Sequence, residues 1–476
     1  MSRIADAFAA VCKENGSRTA LIFRSGHTVE QRSFAELAED VCRMRAYFAA
    51  KNLKKGDRIL AFAAPSYQLC VCMIAALQTG TPIMYVDIWA KQERLRRIFA
   101  EYHPDLVLVS GRTLWLRPFF REIGKIRRVI RVDRFSGFAP EKSAREPLSE
   151  DTLALLTMTT GSTGKPKIAL RTHSDLLQQL RLIQDNIETQ HRETVLTTSY
   201  IYVFANILSG FTTVMPKLNL GRSSPAALDR KLKLFRDVPV TMLLTAPDFC
   251  LRTEPVFPLL HTVYFGGAIL NLHEAEQIRQ KYSNCKCITV YGSTECSVIA
   301  SADLDDYIRT LKQTGKAMLG KPVSGVRVRL SDDGEILISA KALLKHYLSG
   351  DLGKETDSSG VLWHHTGDIA EADGDLLFYR GKAGRTVTVC GKQIYSNELE
   401  QAISARFPEI PKCAVLQDKN RVNVFLQHPH PDEAGIRRLL AEYGISAPVL
   451  RTVKQIPCDV KHHTKIDYET LKEYLK

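Results

Sequence analysis

The sequence predicts an α/β protein: a large N-terminal region of parallel or mixed sheets flanked by helices over residues 1–380, then a small α+β lobe over residues 381–476. Three observations carry this. Apolar strand-like runs alternate with helical patterns through the first 300 residues, which is the signature of parallel strands joined by crossover helices. From about Ser324 the texture changes to short strands and turns, as in "GVRVRLSDDGEILIS" and "DGDLLFYR". The last ~95 residues then carry a strand–helix pattern of their own, as a separate lobe does.

The elements follow in order. "MSRIADAFAAVCKENGSRTA" opens as a helix and has no sustained apolar core, so it is not a secretory signal. "SFAELAEDVCRMRAYFAAKNL" spaces its apolar residues helically behind a Ser start signal. "DRILAFAA" reads as a strand, "SYQLCVCMIAALQTG" as an apolar helix and "PIMYVD" as a strand, and "RLRRIFAEYH" followed by "PDLVLVS" repeats the alternation. A second cycle runs from Leu153 to Tyr291 through "SDLLQQLRLIQDNI", "VTMLLTAP", "TVYFGG", "EAEQIRQKY" and "KCITVYG".

Composition narrows the class. At 476 residues, 45% hydrophobic and 25% charged, the chain suits a globular protein with a large core. The longest apolar run, Leu69 to Leu77, is too short for a transmembrane segment. Eleven scattered Cys argue for free thiols and a reducing, cytoplasmic location. Cys70 with Cys72, and Cys285 with Cys287, lack a second pair at metal-site spacing and read as core residues. The net charge of +13 suits nucleic acid, an anionic membrane surface or a polyanionic small substrate. Its basic runs, "KQERLRR" (Lys91–Arg97) and "REIGKIRRVIR" (Arg121–Arg131), come with no nucleic-acid fold motif, so no nucleic-acid partner is expected.

Four stretches can carry chemistry, and each also admits a plain structural reading. "LLTMTTGSTGKPKIALRTH" looks like a phosphate cradle, but Thr159 stands where a nucleotide P-loop needs its first Gly, and Pro166 where it needs Ser or Thr. Hydroxyls at Thr159, Thr160, Ser162 and Thr163, the turn formers Gly161 and Gly164, and the charges of Lys165 and Lys167 can still wrap phosphate oxygens. An ordinary polar hairpin turn has the same composition. "CITVYGSTECS" delivers Tyr291, Gly292, Ser293, Thr294 and Glu295 at a strand end, where a carboxylate can hold Mg²⁺ or simply be solvated. "WHHTGD" puts Asp368 in a Thr-Gly-Asp turn, able to accept from a ribose diol or merely to close a β-turn. His364 and His365 would point to opposite sides of a strand and so do not form a metal pair. Lys465, in "IPCDVKHHTKID", is a surface residue or a cation that reaches into a cleft to neutralise charge at phosphorus.

Taken in order, these motifs resemble the adenylate-forming superfamily of acyl-CoA synthetases, luciferase-like enzymes and peptide-synthetase adenylation domains. "TTGSTGKPK" (Thr159–Lys167) resembles its phosphate loop, "FGGA" (Phe265–Ala268) its adenine-side segment and "YGSTE" (Tyr291–Glu295) its base-stacking and Mg²⁺ turn. "TGD" (Thr366–Asp368) resembles its ribose clamp, and "VCGKQIYSNELE" (Val389–Glu400) the opening of its C-terminal lobe.

The resemblance implies ATP-dependent conversion of a small-molecule carboxylic acid, fatty or β-hydroxy acyl, to an acyl-adenylate, with Mg²⁺. Transfer to a CoA or acyl-carrier-protein thiol follows, with the small lobe mobile. It implies catalytic roles for Lys465, Thr294 and Glu295, with Glu295 on the metal. Nucleotide contacts are implied for Thr159–Lys165, Lys167, Gly266, Gly267, Ala268, Tyr291–Thr294, Asp368 and Lys382, and an acyl pocket lined by Tyr202, Phe204 and Phe265. "YVFANILSGFTTVMP" (Tyr202–Pro216) and "IPCDVKHHTKID" (Ile456–Asp467) further resemble β-lactone synthetases of olefin biosynthesis, in which a β-hydroxyacyl-adenylate closes on its own hydroxyl. The chain departs from the family at Ile168, where Gly is usual, and at Lys382, where an Arg contacts ribose. Arg380 and Arg385 lie close to that position. It departs again at Gly384, the hinge, and at Thr388, and Lys461 competes with Lys465 for the final Lys; these departures leave a catalytically inactive nucleotide-binding relative as the other reading.

Overall fold

The computed structural model describes residues 4–86, 92–140, 147–158, 167–189, 192–218, 220, 223–349, 353–459 and 465–475. The predicted phosphate cradle, Thr159 to Pro166, lies outside them, as does Lys461.

Two compact units make up the chain. The first comprises Met1–Lys217, Thr294–Ser297 and Lys341–Leu352; the second comprises Leu218–Ser293, Val298–Ala340 and Gly353–Lys476. In the first unit the expected alternation is present. The strands Ile59–Phe62, Ile83–Tyr85, Leu106–Val109 and Val129–Arg131 pair in parallel, with helices Tyr67–Thr79 and Gln92–Tyr102 crossing between them. Leu153–Met158 joins Ile83–Tyr85 in parallel and turns back antiparallel onto Ile168–Thr172, whose other edge takes His346–Tyr347. Met158 and Ile168 are register partners, so the predicted cradle connects two paired strands.

Local signals explain the helix starts. Ser33 caps Phe34–Ala50 with a reciprocal bond from Glu36, and Thr172 caps His173–Asp185 with Asp175 in the same way. Helix Tyr67–Thr79 is buried almost all round, including Cys70 and Cys72, and ends on left-handed Gly80.

In the second unit, strands Met242–Thr245, Thr262–Gly266 and Lys286–Tyr291 are parallel neighbours. Beyond them the strand order continues through Ala300–Asp303, Ala317–Pro322, Leu376–Lys382, Leu362–Asp373, Glu335–Ala340 and Val326–Leu330. The C-terminal segment adds the hairpin Thr386–Val389/Lys392–Tyr395 and a sheet of Cys413–Asp418, Arg421–Leu426 and Val449–Thr452 under helices Ser396–Arg406 and Glu433–Glu442. Val387, Leu399, Ile403, Val415, Val424, Ile436 and Leu440 bury a core of their own there. The α/β class and the small C-terminal sheet domain are as the sequence predicted.

One expectation needs correcting. Asp368 does not sit in a β-turn but inside the twelve-residue strand Leu362–Asp373. Gly367, at φ +70, donates its N–H to Glu335 Oε1 at 2.7 Å, so the Thr-Gly-Asp kink is absorbed as an irregularity within a paired strand. His364 is buried whereas His365 bonds Glu335, consistent with opposite faces of one strand.

Candidate active site

A cavity in the second unit gathers Phe265, Gly267, Ala268, Tyr291, Gly292, Asp368, Lys382 and Lys465. Parallel register brings its floor together. Phe265 pairs with Thr289 and Gly266 with Val290, so both strands end side by side and open a crevice at their carboxyl ends. Gly266 is dictated by this packing, since a Cβ there would lie 2.4 Å from Val290 O. Gly267 takes φ +100, which a side chain would strain.

At the cavity wall, Tyr291 donates its hydroxyl to Asp368 Oδ2 at 2.9 Å, and Lys382 donates Nζ to Asp368 Oδ1 at 2.7 Å. Asp368 and Lys382 are register partners on antiparallel strands, which explains the contact. Burial pushes the Tyr291 phenol up, and the neighbouring Asp368 charge pushes it further, so it stays a donor. Of the three basic candidates, Arg380 is engaged by Glu398 at 2.7 Å, Arg385 lies over the Tyr468 ring at 4.5 Å, and Lys382 holds the carboxylate.

Lys465 reaches this cavity from a chain reversal. Asp459 N–H bonds Lys465 O at 2.8 Å, and Asp467 N–H bonds Pro457 O at 2.9 Å. Desolvation lowers its pKa, Lys382 lowers it further, and Asp368 and Asp459 oppose both.

The cavity also holds a group that the sequence reading did not assign. Glu400 is buried, with Oε1 accepting from Tyr468 at 2.6 Å and from Val415 N–H at 2.8 Å. Burial raises its pKa from the ordinary 4.5 to about 7. Between these values the folded state holds a proton that the unfolded state has lost. The corresponding stability is complete below about 4.5 and disappears as pH rises through about 7. Melting temperatures of the wild type should therefore decline between about pH 4.5 and 7, and Glu400→Gln should flatten that decline; equal slopes would remove Glu400 as the cause.

Thr294 and Glu295 belong to the first unit, in a polar knot the sequence reading also missed. Buried Arg171 spends its guanidinium on Gln179 Oε1 at 2.6 Å, Thr157 Oγ1 at 2.7 Å and Thr294 O at 2.7 Å. Gln179 donates to Glu295 O at 3.1 Å and to Ala342 O at 3.2 Å. Tyr347 donates to Glu295 Oε1, and Lys167 Nζ lies over the Tyr347 ring at 5.3 Å. Burial draws the Arg171 pKa down to about 10 against the pull of Glu295, Tyr347 and Asp175. The one available signal was an Arg inside an otherwise apolar strand, "IALRT".

The three aromatic residues expected to line an acyl pocket divide between the units. Tyr202 and Phe204 lie on the first-unit helix Tyr200–Leu208, where Phe204 lines a small apolar cavity with Ile4, Phe8, Ile74 and Leu77. Phe265 lines the second-unit cavity with Asp368. Among the described residues no group of three His, Cys, Asp or Glu could hold a metal, and no helix is long and apolar enough to cross a membrane.

A D-alanine–D-alanyl carrier protein ligase from Streptococcus equi is 23% identical over 410 residues, covering 79% of this chain and 77% of the relative. The fold matches o-succinylbenzoate CoA synthetase of Bacillus subtilis in complex with its acyl-adenylate, with a TM-score of 0.81, 20% identity and 99% of each chain covered. It likewise matches the amide bond synthetase McbA of Marinactinospora thermotolerans, with a TM-score of 0.82, 16% identity and 99% and 100% covered. The same Bacillus synthetase has also been solved with ATP and magnesium. Fold and relatives define an AMP-forming enzyme of the acid-ligase type. The chain belongs to the AMP-binding enzyme family, whose model matches residues 8–348.

Proposed function

We propose that this enzyme joins a small-molecule carboxylic acid to AMP. A carboxylate oxygen of the acid bonds to the α-phosphorus of ATP, the bond to the β-phosphate oxygen breaks, and pyrophosphate leaves. The observation that carries the reading is the convergence of Tyr291, Asp368, Lys382 and Lys465 on one cavity at the ends of parallel strands. Asp368, already oriented by Tyr291 and Lys382, has the chemistry to accept from ribose hydroxyls, while Gly267, Ala268 and Tyr291 offer a flat wall for the base. Thr159–Lys167 and Ser293–Thr294 supply donors for the departing phosphates.

Glu295, oriented by the Tyr347 hydroxyl, suits Mg²⁺, because one or two carboxylates are the usual protein share for a cation that otherwise binds phosphate and water. When bound there, Mg²⁺ would supply charge neutralisation between phosphate oxygens. Residues 381–476 act as the mobile lobe that carries Lys465, with Gly384 (φ +76) as its hinge. The acyl group then passes to the thiol of CoA or of a carrier protein. The resemblance of Tyr202–Pro216 and Ile456–Asp467 to β-lactone synthetases supports a second fate, closure on the substrate's own β-hydroxyl.

Isotope exchange between pyrophosphate and ATP, across aliphatic, aryl, amino and β-hydroxy acids, tests the first step. Acid-dependent exchange is the expected result, and none with any acid class would overturn the reading. AMP release that requires a thiol, against lactone formation without one, then separates the two fates.

A further inference from the structure

Among the described residues the most exposed large apolar side chains lie close in sequence, away from both cavities: Trp115 is 82% exposed and Phe119 is 77% exposed. They stand four residues apart, across the helix Gly111–Leu116 and the 3₁₀ turn Arg117–Phe119 that continues it. Neighbouring side chains hold the segment down. Thr113 is buried, Leu114 packs against the core, Phe120 meets the Phe62 ring edge-on at 5.0 Å, and Ile123 is fully buried. Arg117 donates to the carbonyls of Ile123 and Gly124, and Gln92 Nε2 donates to Phe119 O at 3.1 Å. Trp115 and Phe119 are therefore presented outward by a braced segment.

The surroundings carry an excess of positive charge, part of it paired: Lys125 meets Glu122 at 3.0 Å and Arg128 meets Asp57 at 2.9 Å. Residues 111–131 contain seven Arg or Lys and one acidic residue, Glu122. Arg121, Lys125, Arg127 and Arg128 are exposed, and exposed Arg96 lies on the helix Gln92–Tyr102 that packs on Arg121–Lys125. Projecting aromatic residues on a basic field match the interface of an anionic bilayer, where Trp sits at headgroup depth and Lys and Arg meet lipid charge.

We propose that this face docks the enzyme peripherally on anionic lipid. The occupant is a membrane rather than a protein because the aromatic residues project from the surface rather than line a groove, and the like charges spread around them. The contact places a lipid-soluble acid within reach of an enzyme with no spanning helix among its described residues.

Sedimentation with vesicles tests it on the full chain. Binding is expected to phosphatidylglycerol–phosphatidylcholine vesicles at low salt and not to phosphatidylcholine alone, with release as salt screens the charges. W115S/F119S should cut partitioning at least tenfold, and R121E/K125E roughly fivefold for each charge removed. Both variants should keep the wild-type thermal midpoint, because the four side chains are exposed. The proposal is overturned if wild type ignores the anionic vesicles, or if W115S/F119S binds them as wild type does. It is equally overturned if the face captures an acidic carrier protein while leaving vesicles unbound.

Discussion

Lys465→Ala is expected to slow acid-dependent pyrophosphate exchange by roughly 10²–10³-fold while changing ATP affinity only a few-fold. Charge builds on the phosphate oxygens as the carboxylate attacks, and a cation held in a partly desolvated cavity stabilises that state more than the ground state. The bonds from Asp459 N–H to Lys465 O and from Asp467 N–H to Pro457 O fix the Lys465 backbone, so the side chain is lost without moving its neighbours. Asp368, Lys382 and Tyr291, which would hold the nucleotide, keep their mutual bonds. Lys465→Arg should not restore the rate, because a planar fork cannot replace a compact ammonium. Exchange that survives Lys465→Ala would transfer the role to Lys461 and remove this cavity from the chemistry.

The second large effect is expected at Arg171. Arg171→Met deletes a buried guanidinium that serves Thr157, Gln179 and the Thr294 carbonyl together. Buried Gln179 Oε1 and the part-buried Thr157 Oγ1 and Thr294 O lose their donor at once, and leaving three acceptors unsatisfied costs about 3–5 kcal/mol together. A fall in melting temperature on the order of 10 °C should follow for a unit of this size. The effect should also reach function. With Thr294 O released, the Glu295 carboxylate loses its bracing, so the Mg²⁺ concentration for half-maximal exchange should rise. Arg171→Lys, which can restore only one or two of the three bonds, should fall between. A Met variant with wild-type melting and wild-type Mg²⁺ dependence would make the knot dispensable.

Much of the fold was legible because hydrophobic periodicity is a local property. The helix capped at Ser33, the parallel strands around Ile59–Phe62 and the short strands and turns after Ser324 all follow from spacing and end signals. The Thr-Gly-Asp stretch was misjudged for the opposite reason. Gly-Asp reads as a turn locally, but pairing of Asp368 with Lys382 on the next strand holds it extended.

Residue by residue, the sequence determined which chemistry is available: a Gly-Gly strand end, a Tyr and a Glu after the next strand, an Asp beside a Gly, and a Lys near the C-terminus. Tertiary structure decided which of these meet. Asp368 faces Tyr291 across 77 positions of chain and Lys465 across nearly a hundred, and Arg171 finds Thr294 O over 123. Neither these meetings nor the rise of Glu400 to about 7 is encoded in any window of neighbouring residues. Both arise from strand register and from exclusion of water, which exist only once distant segments have packed.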